Sequence, residues 1–177
     1  MLAALVLVAF FIKPNFLNTS WKSAASSHFS FTISHPPTWA QSEDPSLFYL
    51  VNTKSTGEFR AYITVSTLNP FGPNQDVKNT FDKIYNAPDN SEVSSPYQKT
   101  QETQSSEIKN KNAVVDNQPA VLISQDTIMP GPYYSQNIYV LKGDQVWIIR
   151  LIASTKEELL NNQQIFEQTV STFKFAN

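Results

Sequence analysis

The chain contains no cysteine. That excludes disulfide staples, thiolate nucleophiles, cysteine-ligated zinc and lipid attachment through a cysteine together. Charge is scarce as well: Asp, Glu, Lys and Arg make up 16% of the 177 residues, and the net charge is −2. No basic field is available for nucleic acid, and no acidic tail for a basic partner. Glycine occurs only at Gly57, Gly72, Gly131 and Gly143, too far apart for a phosphate-cradling loop. Histidine occurs twice, as His28 and His35. A Ser-His-Asp set would need one of them, and there is no Gly-x-Ser-x-Gly elbow. No His/Asp/Glu grouping has metal-ligand spacing. The expectation is a protein with no catalytic residue, no metal site and no cofactor.

What is present is apolar pattern and uncharged polar surface. Apolar residues form 41% of the chain, and Ser, Thr, Asn and Gln supply most of the rest. Such a surface suits work outside the cytoplasm. The run MLAALVLVAFFI, Met1 to Ile12, is apolar throughout and closes at Lys13-Pro14. A spanning helix needs about 20 apolar residues, so 12 alone are too few. The run fits the core of a secretory signal or part of an N-terminal membrane anchor; a buried core helix is the competing reading. Either exported reading places the remainder in an extracytoplasmic location, secreted or held at a membrane by its N-terminus. Residues 13–27 read as a flexible stalk, and residues 28–177 as one folded domain.

The domain opens on a strand, with Phe29, Phe31 and Ile33 alternating with polar residues before Pro36-Pro37 stops the pattern. Leu47 to Val51 is a short apolar strand. In Phe59 to Leu68, Phe59, Ala61, Ile63 and Val65 face one way, and Arg60, Tyr62, Thr64 and Ser66 the other. Val77, Phe81, Ile84 and Tyr85 mark a helix stripe ended by Ala87-Pro88. Residues 88–106 are nearly devoid of apolar side chains and read as a solvated insertion or a lid. Pro119 to Ile128 is a strand, and Gln136 to Leu141 and Gln145 to Ala153 form a hairpin around Lys142-Gly143-Asp144. The strand QVWIIRLIA is apolar on both faces, so it must be central and covered above and below. Ser154-Thr155-Lys156-Glu157 and Thr155…Glu158 are overlapping capping-box patterns, followed by a helix stripe of Leu159, Phe166, Val170 and Phe173. The predicted fold is α+β: a central antiparallel sheet of six or seven strands flanked by helices on both faces.

Four segments carry a resemblance to a known family. These are the Phe-Ser-Phe-x-Ile strand followed by His35-Pro36-Pro37-Thr38-Trp39, VVDNQPAVLI at 114–123, NIYVLKGDQVWIIRLIAS at 137–154, and FEQTVSTFKF at 166–175. In this order they resemble the PsbP-like family, over nearly the whole chain after residue 28. The resemblance implies the α/β/α sandwich and a non-enzymatic role in protein binding or assembly beside a membrane. Some relatives bind metal through His and acidic residues. That site does not transfer, because His28 and His35 lie seven apart on one predicted strand and read as surface histidines on opposite faces.

Four residues are candidates for binding. Tyr133 and Tyr134 end the rigid loop Met129-Pro130-Gly131-Pro132-Tyr133-Tyr134, where aromatic side chains lose little entropy on contact; an ordinary strand connection is the competing reading. Arg150 interrupts the apolar central strand and requires an acid, with Asp126 as candidate, or water, or a ligand. Trp39 is either a core plug or an exposed ligand platform. The partners expected are an unidentified protein and, through residues 1–12, a membrane. The alternative is a small-molecule or metal-ion binding module with 88–106 as its lid.

Overall fold

The computed structural model describes residues 20–26, 28–43, 47–55, 60–68, 75–88, 103–128 and 132–176, with side chains at all but 43, 75, 103–112, 124–128 and 132–133. The apolar run at 1–12, residues 13–19 of the expected stalk and 89–102 of the expected lid lie outside the described residues.

In chain order the elements are β1 (Lys22–Ser26), β2 (Phe31–His35), β3 (Trp39–Glu43), β4 (Phe48–Asn52), β5 (Tyr62–Thr67), α1 (Gln75–Tyr85), β6 (Thr103–Val115), β7 (Gln118–Ile128), β8 (Pro132–Lys142), β9 (Gln145–Ala153), α2 (Lys156–Ser171) and β10 (Lys174–Phe175). Seven strands form one antiparallel sheet in the order β3-β4-β5-β9-β8-β7-β6. The doubly apolar β9 is its fourth and middle strand, as a strand without a polar face requires. A second sheet, β1-β2-β10, has three strands.

Four of these strands, β1, β3, β6 and β10, were not expected. Lys22–Ser26 lies within the stretch read as a stalk, yet it pairs with β2 from Lys22↔His35 to Ser26↔Phe31 and buries Ala24. The folded unit therefore reaches back past residue 28. Trp39–Glu43 continues directly from the Pro36-Pro37 bend and pairs with β4. The Trp39 amide donates to the Pro36 carbonyl at 3.0 Å, so the bend is a tight turn between strands of two different sheets.

Alternate residues of β9 pack into different clusters. Trp147, Ile149, Leu151 and Ala153 join Leu159, Phe166 and Val170 of α2, together with Phe31 and Ile33 of β2. Val146 and Ile148 join Phe81 and Ile84 of α1. Farther along that second face Arg150 and Ile152 are only half-buried. The expected cover above and below the whole strand is thus not reached there: α1 packs against the first part of β9 only.

Local chemistry accounts for the ends of the elements. The Thr155 hydroxyl accepts from the Glu158 amide at 3.0 Å, capping α2. The Glu158 carboxylate accepts from the Ser154 hydroxyl at 3.0 Å and from the Ser55 hydroxyl, tying the β4–β5 connection to the helix start. Asp116 and Asn117 take φ values of 48° and 62° in the β6–β7 turn, the pair of left-handed residues that a two-residue hairpin loop demands. In the β8–β9 turn Gly143, at φ 62°, takes the left-handed position.

Candidate binding site

Arg150 is the most unusual side chain in the sheet, a guanidinium on the middle strand. Strand register fixes its neighbours. One row across the sheet reads Ser42, Tyr49, Thr64, Arg150, Asn137, Ile123. The next reads Ala40, Val51, Tyr62, Ile152, Ser135. Residues directly opposite share a face, so these two rows form one surface, continuous with the face on which α1 packs.

The floor of this surface is buried and polar. Asn137 is 0% exposed, Thr64 5% and Ser135 7%. The Arg150 Nε donates to the Asn137 Oδ1, and the Asn137 Nδ2 donates to the Ser135 hydroxyl at 3.3 Å. The buried amide therefore orients the guanidinium from beneath. Asp126, the acid foreseen as its partner, pairs through its backbone with Tyr134, and its side chain lies outside the described residues. The described ion pairs are Lys78–Asp144 and Lys174–Asp116. Among the described residues Arg150 has no carboxylate partner.

Around Arg150, Tyr49, Val51, Tyr62 and Ile152 are all half-buried. The two tyrosine rings lie 6.1 Å apart in a tilted arrangement. Two aromatic rings, two aliphatic side chains and one oriented guanidinium are the residue types that dominate protein contact surfaces.

The other candidates fall elsewhere. Trp39 is 2% exposed and belongs to the α2-side cluster, which makes it a core residue rather than a platform; its buried indole Nε1 has no hydrogen-bond partner among the described residues. Tyr134 is half-buried against the same cluster, on the side of the sheet opposite Arg150. The Tyr133 backbone pairs with Thr127, and its side chain, like residues 129–131, lies outside the described residues. His35 is buried, not exposed as expected: β2 begins only at Phe31, leaving His28 in the preceding turn, and β1 pairs beside His35. The His35 Nδ1 lies 2.9 Å from the Pro36 carbonyl, which can only accept, so Nδ1 carries the proton.

A cleft of about 700 Å³ opens where α2 begins, lined by Trp39, Asn52, Lys54, Ser55, Glu158 and Asn162 among others. Several of its polar groups are engaged by one another, while Lys54 and Glu157 are exposed and form no ion pair among the described residues. The Asn52 Nδ2 donates to Asn162 Oδ1 at 3.0 Å, the Asn162 Nδ2 to the Glu158 carbonyl at 2.8 Å, and the Lys54 amide to Asn52 Oδ1 at 3.0 Å. Among the described residues no three His, Asp or Glu side chains are grouped to hold a metal ion.

The Arg150 surface was partly visible in sequence. Arg150 stood out, and the alternation of β5 placed Tyr62 and Thr64 on its outer face. Asn137 was missed; an amide inside the apolar run of a central strand was the available signal. Tyr49 was missed because Leu47 to Val51 reads as uniformly apolar.

No protein-family model and no curated protein matches the chain. Solved structures do. A protein from Bacteroides thetaiotaomicron superposes with a TM-score of 0.54 at 12% identity, over 89% of this chain and 49% of its own. The chain thus spans about half the length of that protein. Cyanobacterial PsbP (CyanoP) from Synechocystis sp. PCC 6803 is similar with a TM-score of 0.48 at 11% identity, over 88% of this chain and 92% of its own. The Ran-binding protein Mog1p from Saccharomyces cerevisiae gives 0.46 at 10% identity, over 89% and 96%. At 12% identity the likeness to the Bacteroides protein shows a shared fold and nothing further.

Proposed function

We propose that this chain is a non-catalytic protein-binding domain, exported and held at the outer face of a membrane by its N-terminal apolar segment. Its fold on this reading is an α/β/α sandwich, α1 and α2 covering opposite faces of the sheet. The partner docks on the part of the α1-side face that the helix leaves open, over β4, β5 and β9.

One observation carries this: Arg150 is held from below by a fully buried amide, has no acid of its own among the described residues, and is bordered by half-exposed Tyr49 and Tyr62. Orienting a guanidinium in this way reduces the ordering cost when a partner carboxylate arrives. The absence of cysteine supports a binding role over thiolate catalysis. The cleft beside α2 supports the small-molecule alternative less well, since Asn52, Asn162 and the Glu158 carbonyl within it already pair among themselves.

The test is photo-crosslinking of the full chain in cells, with a photoreactive amino acid replacing Tyr62 or, as control, exposed Lys83 on α1. A discrete adduct is expected from position 62 and not from 83, and it should fall at least tenfold when Arg150→Ala is added. Equal adducts from both positions, or adducts indifferent to Arg150, defeat the proposal. Fractionation tests location: full-length protein recovered from the cytoplasm defeats the exported reading.

A further inference from the structure

We infer that the end of the sheet at which β1 enters lies against a bilayer and is held there by anionic phospholipid headgroups. This rests on the N-terminal tether proposed above and deepens it.

Register gathers distant parts of the chain at that end. Lys22, the first residue of β1, pairs with His35 at the end of β2. From His35 the chain turns through Pro36 to Trp39, which pairs with Asn52. The Thr53 amide donates to the Thr38 carbonyl at 3.0 Å, and the Asn52 amide to the Ala61 carbonyl at 2.8 Å. Val51 stands opposite Tyr62, and Tyr62 opposite Ile152, just before α2 begins. One end of the molecule therefore carries Lys22, Lys54, Arg60 and Lys156, all exposed. Among the described residues none of the four forms an ion pair. The acids described there are Glu157, which is exposed, and Glu158, which is engaged by Ser55 and Ser154.

The opposite end differs. It bears the turns at Asp116-Asn117 and Gly143-Asp144, and two of its three lysines are matched: Lys78 lies 3.3 Å from Asp144 and Lys174 2.8 Å from Asp116, while Lys142 lies over the Phe175 ring. Unmatched cations at the tether end complement an anionic surface, with a force that reaches only about 10 Å.

Tether length selects the same end. Nine residues, 13–21, separate the apolar run from β1, and fully extended they span at most about 32 Å. β9 has 9 residues, so the sheet is itself about 30 Å long. Turning the matched end to the bilayer would require the tether to run the whole length of the sheet, taut.

The absence of cysteine allows clean labelling at one site. Full-length protein carrying Asn161→Cys, near the start of α2, or Ala176→Cys, at the matched end, is labelled with a fluorophore. It is then added to vesicles of phosphatidylcholine with or without phosphatidylglycerol, each containing a headgroup-linked quencher. The protein should sediment with both vesicle types. Phosphatidylglycerol should raise quenching severalfold for the label at 161 and leave the label at 176 unchanged. Combining Lys22→Glu, Lys54→Glu, Arg60→Glu and Lys156→Glu, at unchanged Tm, should return quenching at 161 to its level on neutral vesicles. Equal quenching at both labels, or quenching indifferent to the four substitutions, overturns the inference. Failure to sediment with neutral vesicles instead overturns the tether, and this inference with it.

Discussion

Alternate residues of β9 meet two kinds of surroundings. On the α2 side, Trp147, Ile149 and Leu151 enter a cluster into which both sheets and α2 deliver aromatic rings. Phe31 stacks on Phe173 with centroids 5.0 Å apart and meets Phe48 edge-on at 5.0 Å; Trp147 meets Phe175 at 5.2 Å. Phe31, Phe48 and Phe173 are at most 1% exposed. On the other side, Val146 and Ile148 pack under α1, and then the pattern gives way to Thr64, Arg150 and Asn137. The first side is filled by shape alone. The second includes a charge that the described residues orient but do not neutralise. A sheet that needed only stability had no use for that charge at its middle, where an aliphatic residue fits at no desolvation cost.

The largest effect that separates the two sides is expected from Phe31→Ala. Phe31 touches β4, β9 and the end of α2 at once, so its loss opens a cavity that three elements cannot jointly collapse. The expected cost is about 3–5 kcal/mol, read as a shift in the urea midpoint with the slope of the transition unchanged. A cost below about 1 kcal/mol would mean that the small sheet docks loosely and that the contrast drawn here is false.

The same contrast explains what could be read from the sequence. β5 and β9 were legible because central strands must show apolar residues in register: Ala61, Ile63, Val65, Ile149 and Leu151 are all 0% exposed. Both helices announced themselves through a stripe, α2 also through its cap and α1 through the Ala87-Pro88 stop. The strands that escaped notice lie at sheet margins. β3 and β6 are the two edges of the seven-stranded sheet, and β1 and β10 the two edges of the smaller one. Edge strands pair on one side only and carry polar residues against aggregation, so WAQSE, KSAAS and TQSSEIKNKNAVV show little apolar pattern. The site was half legible for a related reason. A lone Arg in an apolar strand is conspicuous, but its supporting amide and its tyrosine neighbours are assembled by pairing across four strands, which no local pattern reports.

A middle-sized effect tests whether Arg150 is structural. Asn137→Ala removes the acceptor under the guanidinium and should cost about 1.5–3 kcal/mol, the scale of a hydrogen bond to a charged group. Arg150→Met, which removes the charge and keeps the length, leaves the buried Asn137 Oδ1 without this donor and should cost about 1–3 kcal/mol, and the double substitution should cost less than the sum of the two single ones. Chemical denaturation of the three variants supplies the cycle. Were Arg150→Met to cost as much as Phe31→Ala, the polar row would belong to the fold, and the proposed recognition surface would lose its basis.

The smallest effect concerns the C-terminal strand, which joins the aromatic side through Phe175 yet is held from outside by charge. The Asp116 carboxylate accepts from the Lys174 Nζ at 2.8 Å and from the Phe175 amide at 2.9 Å. The Lys174 hydrogen bond lowers the Asp116 pKa below 3.8; desolvation opposes it, and the Phe175 amide and the charges of Lys174 and Lys142 assist. A carboxyl lowered on folding stabilises the native state above its unfolded pKa, and that contribution fades as pH falls through the lower, folded value. Lys174 is well exposed, so solvent screens the pair and the whole contribution should stay under about 1 kcal/mol. Asp116→Asn should therefore lower Tm slightly at pH 7 and leave it nearly unchanged once the pH has fallen below the lowered, folded-state pKa of Asp116, the two proteins converging as acid is added. Convergence should also appear at neutral pH in high salt, because the same screened charges are at work. If the gap instead persisted undiminished into acid, the side-chain geometry of the turn, rather than its charge, would be what holds β10 in place.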